Sequence, residues 1–124
     1  MVSEINIEGG KILIRKLDDS DLLIKSAFWF LFPETQEWRL VIVTPQVDQR
    51  GPRKVYEKIQ KILSSMGDSS ISLDQITLMS PHHQLNEILG LIMQNGTEIA
   101  DIRFKGNVIN GVLIEDAYLY RVNP

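Results

Sequence analysis

The 124-residue sequence predicts an α+β fold, a single mixed β-sheet with helices packed on it, in the order α-β-β-α-β-α-β-β. Three observations lead there. Residues 22–32 and 37–44 form two β-favouring apolar runs separated only by Pro33-Glu34-Thr35-Gln36. Two strand-to-helix units then follow, each with a proline at the start of its helix. Two further strand-like runs close the chain around the turn dipeptides Gly106-Asn107 and Asn110-Gly111. Helices packed on one mixed sheet are one of the few ways to bury both kinds of apolar surface.

In chain order, Ile7, Gly10, Ile14 and Leu17, with Leu13 beside them, recur at helical spacing and predict a helix over 6–19. The run Ile12-Leu13-Ile14 equally fits a strand, and Gly9-Gly10 weakens a helix by about 1 kcal/mol per glycine. The stretches 22–32 and 37–44 read as an antiparallel hairpin with a four-residue loop. Both strands are apolar on both faces, so they belong in the middle of a covered sheet. Pro45 ends the second strand and 46–51 reads as a polar loop. Pro52 suits the first position of a helix whose stripe is Val55, Ile59, Ile62, Leu63 and Met66, with Gly67 as its stop. The segment 68–72 reads as a loop.

Residues 75–79 are a short strand. Ser80 as N-cap and Pro81 in the first turn predict a helix over 81–95, with Leu85, Ile88, Leu89 and Ile92 inward, Leu91 and Met93 broadening the apolar arc, and Asn95-Gly96 closing it. Strands follow at 98–105 and 112–122, joined through the two turn dipeptides.

Composition narrows the function classes. The length suits one domain, 1–124, able to bury roughly two-thirds of its unfolded surface. There are no cysteines, which removes disulfides, zinc–thiolate sites and thiol catalysis and leans toward a reducing compartment. The longest apolar stretch, Ala27 to Phe32, is far short of the ~20 residues that span a bilayer. With acids in 1–10 where a secretory leader needs basic residues, the expectation is a cytoplasmic protein with no membrane partner. A net charge of −3 disfavours a nucleic-acid partner. No phosphate-binding glycine loop, nucleophile elbow or metal-ligand set is present, so no cofactor and no metal are expected.

The blocks Phe28-Trp29-Phe30, Trp38-Arg39-Leu40-Val41-Ile42-Val43-Thr44-Pro45, Gly51-Pro52-Arg53, Gly106-Asn107-Val108-Ile109 and 111–121 resemble a family of short bacterial proteins. The resemblance runs from about residue 20 to the end. It implies one bacterial domain and carries no activity, cofactor or catalytic residue.

If the strands at 38–44, 75–79 and 98–105 are parallel, their C-terminal ends share one edge of the sheet, where open α/β sheets bind ligands. The polar residues expected there are Thr44, Asp48, Arg50, Arg53, Ser80, His82, His83 and Asn107. Helix N-termini and the forked donors of Arg50 and Arg53 suit an anion. The competing explanation is that Asp48 caps or pairs these arginines and the loop merely turns. His82 and His83 fall in a first helical turn, where the field favours neutral rings able to act as bases. His83 and Glu87 at i and i+4 lack a third metal ligand, so an ordinary His–Glu contact is the simpler expectation.

Glu115 and Asp116 point to opposite sheet faces and cannot form a dyad. Asp116 on an apolar face calls for a partner, Arg103 or Arg121, or else for a catalytic role. Lys54, Lys58 and Lys61 line one helix side, with Glu57 placed to pair with Lys61.

Three functions remain. The favoured one is a non-enzymatic interaction module that self-associates, because the arc around Leu91 and Met93 and the aromatic run Phe28 to Phe32 exceed what one small sheet covers. The alternatives are an anion- or nucleic-acid-binding accessory protein using Arg50 and Arg53, and a small hydrolase using His82 or His83 with Asp116.

Overall fold

The computed structural model describes residues 5–67 and 71–124. Helix α1 spans Ile7–Asp18, strand β1 Ser26–Phe32, β2 Glu37–Val43, helix α2 Gln46–Arg50, α3 Pro52–Ser65, strand β3 Ile76–Met79, helix α4 Gln84–Leu89, and strands β4 Ile102–Ile109 and β5 Val112–Arg121. The expected order of elements is found, with α2 as an extra short helix and a 3₁₀ turn at Leu73–Gln75 before β3. The expected loop at 68–72 lies partly outside the described residues.

The five strands form one sheet in the order β3-β2-β1-β5-β4. Only β2 and β3 are parallel; β1 runs antiparallel to both β2 and β5, and β5 antiparallel to β4. The two runs that are apolar on both faces occupy the interior of the sheet, where that pattern is needed.

Strand alternation sends Trp29, Leu40, Ile42 and Tyr120 to one face, against Leu13, Ile14 and Leu17 of α1 and Val55, Ile59 and Leu63 of α3. Phe28, Phe30, Val41, Val43 and Leu119 face the other way, against Leu85, Ile88 and Leu89 of α4. Phe28 and Trp29 are fully buried and Phe30 nearly so. The aromatic run is therefore core, and the excess apolar surface expected from it is consumed by the two helical layers.

The ambiguity over 6–19 resolves as helix. Asn6 caps α1 by accepting the Gly9 N–H at 2.9 Å. Gly10 is required by packing: a side-chain carbon there would overlap the Tyr120 hydroxyl. That hydroxyl accepts from Trp29 Nε1 at 3.0 Å and donates to the Ile7 carbonyl at 2.8 Å. Helix and sheet thus approach closely enough to share a hydrogen-bond chain. Burial holds the Tyr120 phenol well above its ordinary pKa, which keeps it a donor.

Four boundaries differ from expectation. Strand β1 starts at Ser26, while Leu22 and Ile24 are buried in the lead-in. The expected polar loop 46–51 contains α2, with Gly51 at φ 88° separating it from α3.

The helix expected over 81–95 is only Gln84–Leu89, and its N-cap is His83, whose Nδ1 accepts the Leu85 N–H at 3.0 Å. Ser80 does not cap it, because its hydroxyl donates to Asp48 at 2.7 Å and accepts the His82 N–H at 3.1 Å. At the other end, Asn95 is drawn onto β5: its side chain accepts the Val122 N–H and donates to the Tyr120 carbonyl, both at 3.0 Å. A helix continued through Asn95 would forfeit those bonds.

Finally, β4 runs through Gly106-Asn107. Only Asn110-Gly111, at φ 50° and 80°, makes the hairpin turn.

Arg121 closes the fold. Its side chain is 2% exposed and grips Asp18 with both terminal nitrogens, at 2.9 and 2.8 Å. It also donates to the carbonyls of Ile24, Thr97 and Glu98. Removing one partner of such a pair leaves several acceptors without a donor. Arg121→Met is therefore expected to lower stability by about 3 kcal/mol, measured as a shifted urea midpoint.

Candidate functional site

The strand-end cluster is brought together in part. Strands β2 and β3 finish side by side, and their following helices go to opposite faces, α3 to one and α4 to the other. That arrangement opens a crevice at strand C-termini. Here the crevice is laced shut. Thr44 is buried, its N–H donates to the Met79 carbonyl at 3.2 Å, and its hydroxyl accepts the Gln46 N–H at 3.3 Å. The Asp48–Ser80–His82 chain joins α2 directly to the segment after β3. Among the described residues, no buried side-chain nitrogen or oxygen lacks a hydrogen-bond partner.

The remaining residues lie elsewhere. Arg50 is exposed, close enough to Asp21 to help lower that carboxyl's pKa, behind the larger effect of the hydrogen bond from Lys58. Arg53 is 92% exposed and leans along α3 toward Glu57 at 3.6 Å. Asp48 pairs with Ser80 rather than with either arginine. Lys58 is committed to Asp21, which interrupts the lysine side of α3.

His83 lines a different cleft, of about 380 Å³, with Phe30, Phe32, Pro33, Val112 and Leu113. Asn107 sits near the end of β4, which runs opposite to β2 and β3. It is at the far end of the sheet, so the shared rim expected for the β4 loop does not form.

Asp116 is held by Arg103 through two hydrogen bonds of 2.6 and 2.7 Å, and the Arg103 guanidinium lies 5.6 Å from the Trp38 ring centre. Of the two partners the sequence offered, Arg103 is the one used. The arrangement faces the α1–α3 side of the sheet, whereas His83 is on the α4 side. Glu115 accepts from Gln36 Nε2 at 3.1 Å. Next to Arg103, Tyr118 donates to Asp101, which also takes Lys11. Partial burial, then Asp101, push the Tyr118 phenol up to about 12. Hydrogen bonds from Lys11 and then Tyr118 hold Asp101 below the usual carboxylate range. Among the described residues no three His, Asp or Glu groups converge to hold a metal ion.

The feature that periodicity did not disclose is an imbalance between the sheet's two edges. At the β3 edge, the Tyr56 hydroxyl donates to the Ile76 carbonyl at 3.4 Å and accepts the Leu78 N–H at 3.3 Å. Arg39 adds a bond to the same carbonyl at 3.1 Å. The Met79 carbonyl bonds inward to Thr44, so Ile76 and Leu78 are the residues whose backbone groups point outward. Tyr56 and Arg39 thus occupy the outward Ile76 carbonyl and Leu78 N–H of that edge.

At the β4 edge, no group among the described residues hydrogen-bonds to the outer side of Ile102–Ile109. Six of its eight residues are exposed. Val108 is 63% exposed, directly opposite Leu113 at 45%. An unpaired strand of this kind is a template for another strand. Tyr56 carries no distinguishing sequence signal, since it flanks the apolar stripe of α3 like any amphipathic residue.

Compared with family models, curated proteins and solved structures, the chain matches none. The resemblance to short bacterial proteins accordingly stands on the quoted residue blocks alone. Among the described residues, no helix is long and apolar enough to cross a membrane.

Hydrogen bonding to Arg103 lowers the Asp116 pKa in the folded chain. Its contribution to stability is therefore complete above the ordinary carboxylate range and is lost as pH falls through the lowered value. Arg103→Gln should be less stable than the parent at about pH 6, with the difference shrinking below about pH 4. Urea titrations at a series of pH values would measure this, and a difference independent of pH would count against it.

Proposed function

We propose that this protein is a non-enzymatic interaction module whose β4 edge accepts a further extended strand. One observation carries the proposal: Tyr56 and Arg39 occupy outward backbone groups at one edge of the sheet, and no described residue does so at the other. Strand addition draws affinity from main-chain hydrogen bonds and selectivity from alternate side chains. The β4 edge offers both, with unpaired backbone groups flanked by exposed Ile102, Val108 and Leu113.

The polar constellations that would serve catalysis or anion binding are engaged in structural pairs, Asp48 of α2 with Ser80 and Arg103 of β4 with Asp116 of β5. A cytoplasmic setting in a bacterial cell suits such a module, and a chain without cysteine works unchanged in a reducing medium.

Panning a library of displayed peptides, each about eight residues long, against the immobilised chain tests the proposal. Enriched peptides should alternate in polarity and, on binding, perturb the backbone amide NMR signals of β4 above all others. Failure to enrich any peptide, or enriched peptides that perturb the α2–α3 segment or the His83 cleft instead, would remove it.

A further inference from the structure

We infer that Asn110, at the tip of the β4–β5 hairpin, is a site of spontaneous deamidation, and that the fold shields the matching dipeptide at Asn95. The chemistry belongs to the turn itself and does not depend on what β4 accepts.

Asparagine is a thermolabile residue. Its conversion begins when the backbone nitrogen of the next residue attacks the side-chain carbonyl carbon, Cγ. The new N–C bond closes a succinimide ring, and Nδ2 leaves as ammonia, taking the proton of the backbone N–H. Water then opens the ring at either carbonyl. One opening yields aspartate; the other yields isoaspartate, in which the main chain runs through the side-chain carbon. Water is the sole co-reactant.

The attacking nitrogen must be unhindered and must carry a proton. Of the six asparagines in the chain, Asn95 and Asn110 alone precede glycine. Asn6 and Asn107 precede Ile7 and Val108, whose branched side chains crowd the nitrogen. Asn86 precedes Glu87 and is fully buried, its amide donating to the carbonyls of Pro81 and Asn123. Asn123 precedes Pro124, which has no N–H. Asn95-Gly96 and Asn110-Gly111 are thus equals in sequence.

Tertiary structure separates them. The Asn95 side chain donates to the Glu98 and Tyr120 carbonyls at 3.1 and 3.0 Å and accepts the Val122 N–H at 3.0 Å. Its attacker is engaged as well. The Gly96 N–H donates to Asn123 Oδ1 at 3.0 Å, and the Gly96 carbonyl accepts from Asn123 Nδ2 at 2.6 Å. Reaction there must wait for a local opening that breaks several bonds together. Asn110 and Gly111, by contrast, are both exposed. Among the described residues, nothing bonds the Asn110 amide or the Gly111 N–H.

The turn also makes the product matter. Asn110 and Gly111, at φ 50° and 80°, connect the paired residues Ile109 and Val112. Isoaspartate lengthens the backbone by a carbon, which a two-residue connection absorbs only by releasing the pairing beside it. Either product adds a carboxylate to the hollow that Asn110 lines with Glu87.

The unmodified chain, aged in mildly alkaline buffer at physiological temperature with and without guanidinium chloride, tests this. Peptide mass spectrometry reads conversion at each asparagine as the small mass gain of NH2 replaced by OH. In the folded chain Asn110 should convert at least about tenfold faster than Asn95. In denaturant the two rates should agree within about threefold, because the bonds that distinguish them are gone. Asn123→Ala, which frees the Gly96 N–H, should speed Asn95 conversion in the folded chain by at least about threefold. The isoaspartyl form, separated by chromatography, should exchange the amides of β4 faster than the parent does.

Equal rates at the two asparagines in the folded chain, or an Asn110 that converts only in denaturant, overturn the inference. Asn95 conversion unchanged by Asn123→Ala overturns the account of its shielding. An isoaspartyl form whose β4 amides exchange as slowly as the parent's overturns the expected damage to the hairpin.

Discussion

A buried guanidinium holds this fold in register. Arg121 ends the longest strand, and its donors reach Asp18 at the close of α1, Ile24 in the lead-in to β1, and Thr97 and Glu98 in the segment before β4. Three stretches of the chain are thereby fixed to one planar group. An unpaired charge at that depth would be far too costly, so the bidentate Asp18 contact and the carbonyls must all be in place together. The Trp29–Tyr120–Ile7 chain works one residue away in the same sense, drawing α1 down onto the sheet so closely that only glycine fits at position 10.

The same economy explains why the expected anion site is not an open one. Polar residues gathered at the C-terminal ends of β2 and β3 spend their hydrogen bonds on each other. Thr44 and Gln46 start α2, and Asp48 holds Ser80 across the crevice. The Asp48–Ser80 bond joins α2, which leads to one face of the sheet, with the segment after β3, which leads to the other. A small sheet covered by helices on both sides needs such ties where its layers diverge. Among the described residues, the outward backbone groups of β4 have no hydrogen-bond partner, at an edge where no described side chain bonds to them.

Much of the fold was legible in the residues. Alternation and two-sided apolarity in 26–32 and 37–43 identified the central hairpin, and the stripe Val55, Ile59, Leu63 after Pro52 identified α3. The requirement for a partner at Asp116 was legible too, as was Arg103 among the choices. Helix α4 was misjudged because the apolar spacing continues through Ile92 and Met93, whereas Asn95 is worth more bonded to β5 than in a helix. The turn signal at Gly106-Asn107 was overridden by cross-strand pairing that continues on both sides of the glycine. The strand-end cluster was only half right, because it assumed a parallel β4, and strand direction is not written in periodicity.

By itself the sequence determined that two strands must be covered on both faces, that helices must supply the cover, and that the chain holds no thiol to form a disulfide. These follow from side-chain type and spacing, which are local properties. Only the tertiary structure decided which edge of the sheet stays open. That choice depends on where Tyr56 and Arg39 land relative to the outward carbonyl of Ile76, a relation between distant residues that no window of sequence contains.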